Sequence, residues 1–327
     1  MPVMVDRSRL LDRLSRPQED RVTTIIAPAG YGKTTLAEQW AQTTQHPVAR
    51  LAVSPSRTSV EELFEDILGV LDVGEEPPAD PGVPSANVPQ VAAVIVAMDA
   101  IVATRGALTV ILDDFEHVVA PVTLKAVDAL IASMPRGAHL MVLSRSIPRL
   151  TLARLRAIGK LNKITAADLR FTFDEATAAL DGMALTSYQV RRVLDRTEGW
   201  ITGIRQVRHA LAQAEPEGSI DDLIDALTRD YWLRRYFREE VLDRLPEALR
   251  EFVLITSAFP SLDPELCASV LGDDNAEDSI QVLALHGAFV MRVASFDSHL
   301  RYHRMFAEAV IGIARRELGA ARLHEMW

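Results

Sequence analysis

Ala27-Pro28-Ala29-Gly30-Tyr31-Gly32-Lys33-Thr34-Thr35 is the stretch that decides how this chain is read. It follows an apolar, β-branched run, Val22–Ile26, and leads into a helix-like run from Leu36 to Gln45. A phosphate-binding loop needs that strand–loop–helix context. Gly30 and Gly32 let the backbone curl so that its N–H groups converge on phosphate, and the start of the next helix adds partial positive charge. Lys33 is placed to reach the β and γ phosphates, and the Thr34 hydroxyl to ligate Mg²⁺. Ala29, Tyr31 and Thr35 complete the loop as candidate nucleotide contacts. The first glycine of the pattern G-x-x-x-x-G-K-[ST] is replaced by Ala27, which an L-residue tolerates only at negative φ. An ordinary Gly-rich turn would not require the GKT triplet, the strand and the helix to agree.

A second constellation follows about 80 residues downstream. Leu108–Leu112 is a largely apolar run ending in Asp113-Asp114, the pattern of a buried parallel strand with carboxylates at its end. Asp113 is the candidate metal residue, holding Mg²⁺ usually through water. Asp114 is the candidate base that orients the attacking water, with Glu116 as its rival. Leu140–Leu143 is a further short strand, and Arg145 just after it is either a γ-phosphate sensor or a surface arginine. The loop at Ala27–Thr35, Asp113-Asp114 and Arg145 all fall at carboxyl ends of strands, where ligands of open α/β sheets sit. His117 is read as a loop histidine without a catalytic role.

Outward from these motifs, Val48–Val53 reads as another strand, and Val60–Leu71, Val91–Thr104 and Leu124–Ser133 as helices. Strands alternating with helices imply a parallel sheet with crossover helices. Residues 72–90 contain five prolines and read as an exposed loop. Beyond Phe171 strand signals stop and helical segments follow: Asp174–Leu180, Ser187–Arg196, Trp200–Gln213, Ile220–Arg229, Trp232–Arg244, Leu249–Ser257, Pro264–Leu271 and Ala276–Leu285. Ala288–Val293 and Ser298–Tyr302 read as a hairpin turning through 294–297, followed by a last helix, Met305–Leu318. Short helices followed by a small hairpin form a winged-helix pattern.

The chain has 327 residues, so two or three domains are expected. A hydrophobic content of 48% and a charged content of 24% are those of an ordinary soluble protein. The single cysteine, Cys267, cannot make an internal disulfide, which fits a reducing cytoplasm, and it reads as a small buried apolar residue. The first thirteen residues carry charges of both signs rather than the apolar core of a signal peptide. No uncharged apolar run reaches membrane-spanning length. The formal net charge of −10 argues against bulk electrostatic binding to nucleic acid.

The chain resembles the STAND class of P-loop ATPases, and within it the large LuxR-type transcriptional activators typified by the maltose regulator. The carriers are Ala27–Leu36 (APAGYGKTTL), Val110–His117 (VILDDFEH), Ser144–Arg156 (SRSIPRLTLARLR), Asp168–Thr172 (DLRFT), Arg196–Gly203 (RTEGWITG) and Arg301–Phe306 (RYHRMF). The resemblance implies an α/β P-loop NTPase domain with a parallel sheet at 1–170, an all-α helical domain at 171–232 and a winged-helix domain at 233–318. Residues 319–327 would begin a helical-repeat sensor, with a C-terminal helix-turn-helix beyond it as the DNA-binding part. It also implies ATP/ADP and Mg²⁺ as ligands, with ADP holding a closed monomer and ATP plus an inducer or regulatory protein opening it toward an oligomer. Val5 and Arg7 match a segment that packs on adenine, Gly199-Trp200 a helical-domain contact, and His303 a histidine that touches the ADP phosphates. Relatives often carry proline near 201 or 202, where this chain has Ile201 and Thr202. His303 has a second reading, as a cap of the last helix.

The leading expectation is a cytoplasmic, nucleotide-controlled signalling switch with slow ATPase activity, the regulatory core of a transcription activator. The alternatives are a dedicated P-loop enzyme, such as a kinase or motor-type ATPase, and an interaction module with an inactive loop. Intact Lys33, Thr34, Asp113 and Asp114 argue against the last.

Overall fold

The computed structural model describes residues 4–15, 21–71, 89–213, 222, 231–272, 275–292, 300–319, 321, 323 and 324. The chain divides into two compact units: Arg7–Ala27 with Gly32–Leu169, and Met1–Asp6 with Pro28–Tyr31 and Arg170–Trp327.

The first unit is built on a five-stranded parallel sheet. Its strands are β1 (Val22–Ile26), β2 (Val48–Ala52), β3 (Leu108–Asp113), β4 (Ala138–Ser144) and β5 (Leu161–Thr165), in the order β2-β3-β4-β1-β5. The helices are α1 (Ser8–Leu14), α2 (Lys33–Thr43), α3 (Val60–Leu71), α4 (Pro89–Arg105), α5 (Pro121–Ser133), α6 (Ala153–Ala157) and α7 (Ala166–Leu169). Every residue of β3 is buried, as a central strand covered on both faces requires. Val110 and Leu112 of β3, with Leu140 and Val142 of β4, alternate onto one face and pack with Phe64, Ile67, Met98, Val127 and Leu130 of α3, α4 and α5. The proline-rich residues 72–88 lie outside the described residues.

The sequence reading stops at four strands, and the structure adds a fifth. β5 reads Leu-Asn-Lys-Ile-Thr and only Ile164 is buried, so an edge strand of this composition carries almost no apolar signal. Its edge is closed by polar contacts from the N-terminal segment. Arg13 donates to Asp168 Oδ1 at 2.8 Å and to Asn162 Oδ1 at 3.3 Å, and buried Arg7 donates to Leu169 O at 2.8 Å.

In the second unit, α8 (Phe173–Ala179), α9 (Ser187–Thr197) and α10 (Ile201–Gln213) share a core of Ala176, Leu180, Val190, Val193, Ile204 and Val207. Both α8 and α9 open on complete capping boxes, Thr172 with Glu175 and Thr186 with Gln189. Further along come α11 (Tyr231–Glu240), α12 (Glu247–Thr256), α13 (Pro264–Leu271), α14 (Ala276–Leu285), the antiparallel pair β6 (Val290–Arg292) and β7 (Leu300–Tyr302), and α15 (Arg304–Glu317). The expected helix Trp232–Arg244 ends earlier, at Glu240, and a short 3₁₀ turn, Leu242–Arg244, follows. Most of the expected segment 220–229, and the hairpin turn 294–297, lie outside the described residues. Trp200, Phe237, Phe289 and Phe306 form one aromatic cluster, with ring centroids 5.1–5.5 Å apart for the contacting pairs. Cys267 is buried on α13, and burial pushes its thiol up to about 11, so its role is packing.

Candidate nucleotide site

The phosphate loop has the backbone its sequence asks for. Gly30 and Gly32 stand at φ +77° and +75°, in the left-handed region, and Gly32 is the residue from which α2 starts. Ala27 is not among the positive-φ residues, so alanine is accommodated at the first loop position without strain. Within the sheet unit, Lys33 is buried and its Nζ donates to Ala27 O at 2.8 Å. This bond folds the lysine back along the loop. Burial lowers the ammonium to about 8, against the raising influence of Glu116, Asp113 and Asp114. A phosphate would restore the charge balance that burial removes.

Thr34 and Asp113 meet through the pairing of sequence-distant elements. The Thr34 hydroxyl donates to Asp113 Oδ2 at 2.8 Å, and Asp113 Oδ1 accepts the backbone N–H of Asp114 at 3.0 Å. A hydroxyl and a single carboxylate are hard oxygen donors of the kind Mg²⁺ takes when phosphate and water supply the remaining ligands. The donor set therefore fits that ion. Among the described residues there is no cluster of three or more His, Cys, Asp or Glu that could cage a metal on its own.

Asp114 stands at φ +54°, an unusual conformation for a residue with a side chain. Its carboxyl is pushed up, first by burial and then by Asp113 and Glu116. Glu116 is committed elsewhere: its Oε2 accepts the backbone N–H of Arg145 at 3.0 Å, and its Oε1 lies 3.0 Å from Arg145 Nε. Arg145 is thus held at the end of β4 by a glutamate. Glu116 positions an arginine, while Asp114 keeps a carboxyl of raised proton affinity at the end of β3. Thr35 is exposed on the first turn of α2.

Sequence reasoning missed Arg50. Its Nη2 donates to Asp113 Oδ2 at 3.1 Å, and its Nη1 pairs with Glu38. No motif marks it; it reaches Asp113 because β2 pairs with β3 in the register Ala52↔Asp113.

Pro28–Tyr31 group with the helical unit. Trp200 Nε1 donates to Ala29 O at 3.1 Å, and Gly30 O accepts both the Thr202 hydroxyl at 3.1 Å and the Thr202 backbone N–H at 3.2 Å. A Cβ on Gly30 would stand 2.4 Å from Thr202 Oγ1 and 2.9 Å from Trp200 Nε1, so glycine is required here for space as well as for φ. Tyr31 is buried, 6.0 Å ring to ring from Phe289. Thr202 therefore holds the loop through two hydrogen bonds that a proline could not make. Gly199, at φ +72°, is enclosed by Arg170 and Phe171, and its carbonyl accepts Phe171 N–H at 2.9 Å.

His303 is fully buried, and its Nε2 lies 3.0 Å from the carbonyl of Thr197, which fixes that nitrogen as the donor. Its Nδ1 has no hydrogen-bond partner among the described residues. Burial lowers the imidazole to about 4, against the pull of Glu198. His303 is the N-cap residue of α15 and its carbonyl accepts the Ala307 N–H at 2.9 Å, while its side chain makes no capping bond. Val5 is buried in the second unit beside Ala176, Ile204 and Val207, whereas Arg7 belongs to the first unit.

These features are those of a P-loop ATPase joined to a helical and winged-helix part. Two family models match: residues 15–144 match the AAA domain, and residues 238–322 match the MalT winged helix domain. The HTH-type transcriptional regulators MalT of Yersinia enterocolitica and Yersinia pestis are each 26% identical over 312 residues, 93% of this chain. The chain spans about a third of their length, 34%. The Walker-type ATPase PABY2304 of Pyrococcus abyssi shares the fold at a TM-score of 0.69, with 9% identity, over 94% of this chain and 96% of that one. The chain is thus similar in sequence to the MalT regulators and shares its fold with a Walker-type ATPase.

Proposed function

We propose that this chain is the nucleotide-controlled core of a MalT-like transcriptional regulator, a switch set by ATP and ADP with slow hydrolysis. The observation that carries this reading is the Lys33–Thr34–Asp113 arrangement at the carboxyl end of the sheet, in a chain related to MalT along nearly its whole length. The domain reading is 1–170 for nucleotide binding, 171–232 helical and 233–318 winged helix, with 319–327 opening a helical-repeat region.

In this reading the amides of residues 29–35 and Lys33 would hold the phosphates, and Thr34 and Asp113 would hold Mg²⁺. The ion would supply neutralisation of phosphate charge. Asp114 accepts a proton from the attacking water, and Arg145, kept in place by Glu116, faces the developing charge. Val5, Arg7, Gly199 and Trp200 belong to the nucleotide-responsive set by resemblance. By resemblance His303 touches the ADP phosphates, but its Nε2 is already given to Thr197 O. With Nε2 given to Thr197 O, the neutral ring leaves Nδ1 as an acceptor, and only the imidazolium would donate from it. We place this switch in the cytoplasm. Among the described residues, no helix is long and apolar enough to cross a membrane. An inducer or regulatory protein would favour the ATP state, in which we expect an oligomer in place of the ADP-bound monomer. DNA contact would fall to a C-terminal domain of the kind the relatives' name implies, so this chain alone is expected not to bind a specific duplex.

The test is to denature the purified protein and identify the nucleotide released, then to measure turnover. A switch carries ADP and turns over slowly; free cycling with a phosphoryl acceptor would instead mark a dedicated kinase or motor-type ATPase. Asp114→Asn should bind ATP normally and hydrolyse it at least about tenfold more slowly, as expected for loss of a general base. Unchanged hydrolysis would remove Asp114 from the mechanism.

A further inference from the structure

Asp113 is nearly enclosed, with 4% of its side chain exposed, and its oxygens are already engaged. Oδ1 accepts the Asp114 N–H at 3.0 Å. Oδ2 accepts the Thr34 hydroxyl at 2.8 Å and the Arg50 guanidinium at 3.1 Å. A carboxylate oxygen has two lone pairs in its plane, so Oδ2 is saturated. Arg50 is not an incidental visitor. It stands on β2 beside the strand that ends in Asp113, and Glu38 on α2 holds its other nitrogen. The arginine therefore bridges two carboxylates, one from the helix that follows the phosphate loop and one from the metal-binding strand end.

We propose that Arg50 is a further residue of the nucleotide site, which competes with Mg²⁺ for the Asp113 carboxylate and so sets how strongly nucleotide binding depends on the metal. The inference rests on the reading of Thr34 and Asp113 as the metal-holding pair. Two effects act in the same direction. A water of the Mg²⁺ shell can take a place on Oδ2 only if Arg50 yields it. A fixed positive charge at hydrogen-bond distance from the carboxylate also opposes a second cation there. The chain would consequently bind a nucleoside diphosphate well without metal and gain little when Mg²⁺ is added. That property suits a resting state held by metal-free ADP. Arg50 is 35% exposed, so its substitution leaves the buried core intact.

The experiment is calorimetry of ADP binding to the purified protein, stripped of bound nucleotide, in EDTA and in excess MgCl₂. The quantity read is the ratio of the two dissociation constants. Arg50→Gln should raise the affinity gained from Mg²⁺ by about two- to fivefold over wild type, the scale of one partly exposed ion pair. Arg50→Lys keeps the charge but not the fork that bridges Asp113 and Glu38, and should fall between Arg50→Gln and wild type. An unchanged ratio in Arg50→Gln overturns the proposal. So does a loss of ADP binding in EDTA and MgCl₂ alike, which would make Arg50 a direct nucleotide or structural residue. Failure of the site reading itself is seen separately, in Lys33→Ala: if that variant binds ADP like wild type in both buffers, the phosphate loop is not the binding site.

Discussion

In the sheet unit two buried charged side chains flank the phosphate loop, and each has a partner: Lys33 on Ala27 O, Asp113 on Thr34 and Arg50. In the helical unit the corresponding groups are neutral and sit inside an aromatic cluster: His303 on Thr197 O, Tyr302 on Thr256, Trp200 on Ala29 O. Charged groups that must meet an anion cannot be enclosed permanently, because desolvation would neutralise them. Neutral hydrogen-bonding groups can be enclosed, and there they specify one packing arrangement. The first unit is thus poised toward a ligand, while the second holds a loop segment by packing and by hydrogen bonds to backbone.

The most severe challenge to this contrast is Trp200→Ala. Trp200 is fully buried, touches Phe237, Phe289, Tyr236 and His303, and donates to Ala29 O. Its removal should cost about 3–5 kcal/mol, the usual range for truncating a buried tryptophan. Urea denaturation followed by circular dichroism measures this, and a loss below about 1 kcal/mol would refute the packing role.

Acid provides the next test. His303 is kept neutral, its folded value of about 4 lying below the ordinary value of 6.5. Unfolding therefore takes up a proton in this interval. The contribution is fully present above pH 6.5 and is lost as pH falls toward 4, by roughly 3 kcal/mol at ~1.36 kcal/mol per unit. Glu198 opposes the depression, and Arg170 and Arg301 add to it. His303→Gln should flatten the pH dependence of stability between 6.5 and 4 by about one proton. A residual slope is expected from His139, whose imidazole burial also lowers to about 4. An unchanged slope in the variant would mean that His303 protonates freely.

On the charged side, Lys33→Ala should leave the fold intact and weaken ADP and ATP binding by about 2–3 kcal/mol, the worth of one charge-assisted contact. Calorimetry reads it directly. A variant that unfolds instead would place Lys33 among the structural residues and erase the distinction between the units.

How far the sequence could be read follows the same division. The phosphate loop, Asp113-Asp114 and the strands before them are local patterns, legible because apolar runs and a short motif coincide. The parallel sheet and the helices of the second half were legible from periodicity. Arg50 was not, since its role comes from β2 lying beside β3, and one arginine in an alternating strand carries no signal. β5 was hidden by its polar edge composition. The role of Thr202 was hidden because its partner, Gly30, lies 172 residues away in the sequence. The commitment of His303 Nε2 to Thr197, 106 residues away, is likewise invisible in a linear motif.

Thr202 carries the smallest expected effect and separates the two ways of holding the loop. Its hydroxyl and its backbone N–H both reach Gly30 O, at 3.1 and 3.2 Å. Thr202→Val removes the first donor at almost constant volume. It should cost about 0.5–1.5 kcal/mol, the net worth of an ordinary hydrogen bond. Thr202→Pro removes both donors, yet the position is the second residue of α10, where proline fits the helix without displacing any bond inside it. The stability loss should therefore be larger for proline than for valine, although proline stiffens the unfolded chain and offsets part of it. The order of the two variants in urea unfolding is the decisive reading. If Thr202→Pro equals or exceeds wild-type stability while Thr202→Val falls, the hydrogen bonds to Gly30 do not hold the loop. If both fall in the expected order, the threonine tethers the loop backbone directly, and Gly30 is held by hydrogen bonds even before any phosphate arrives.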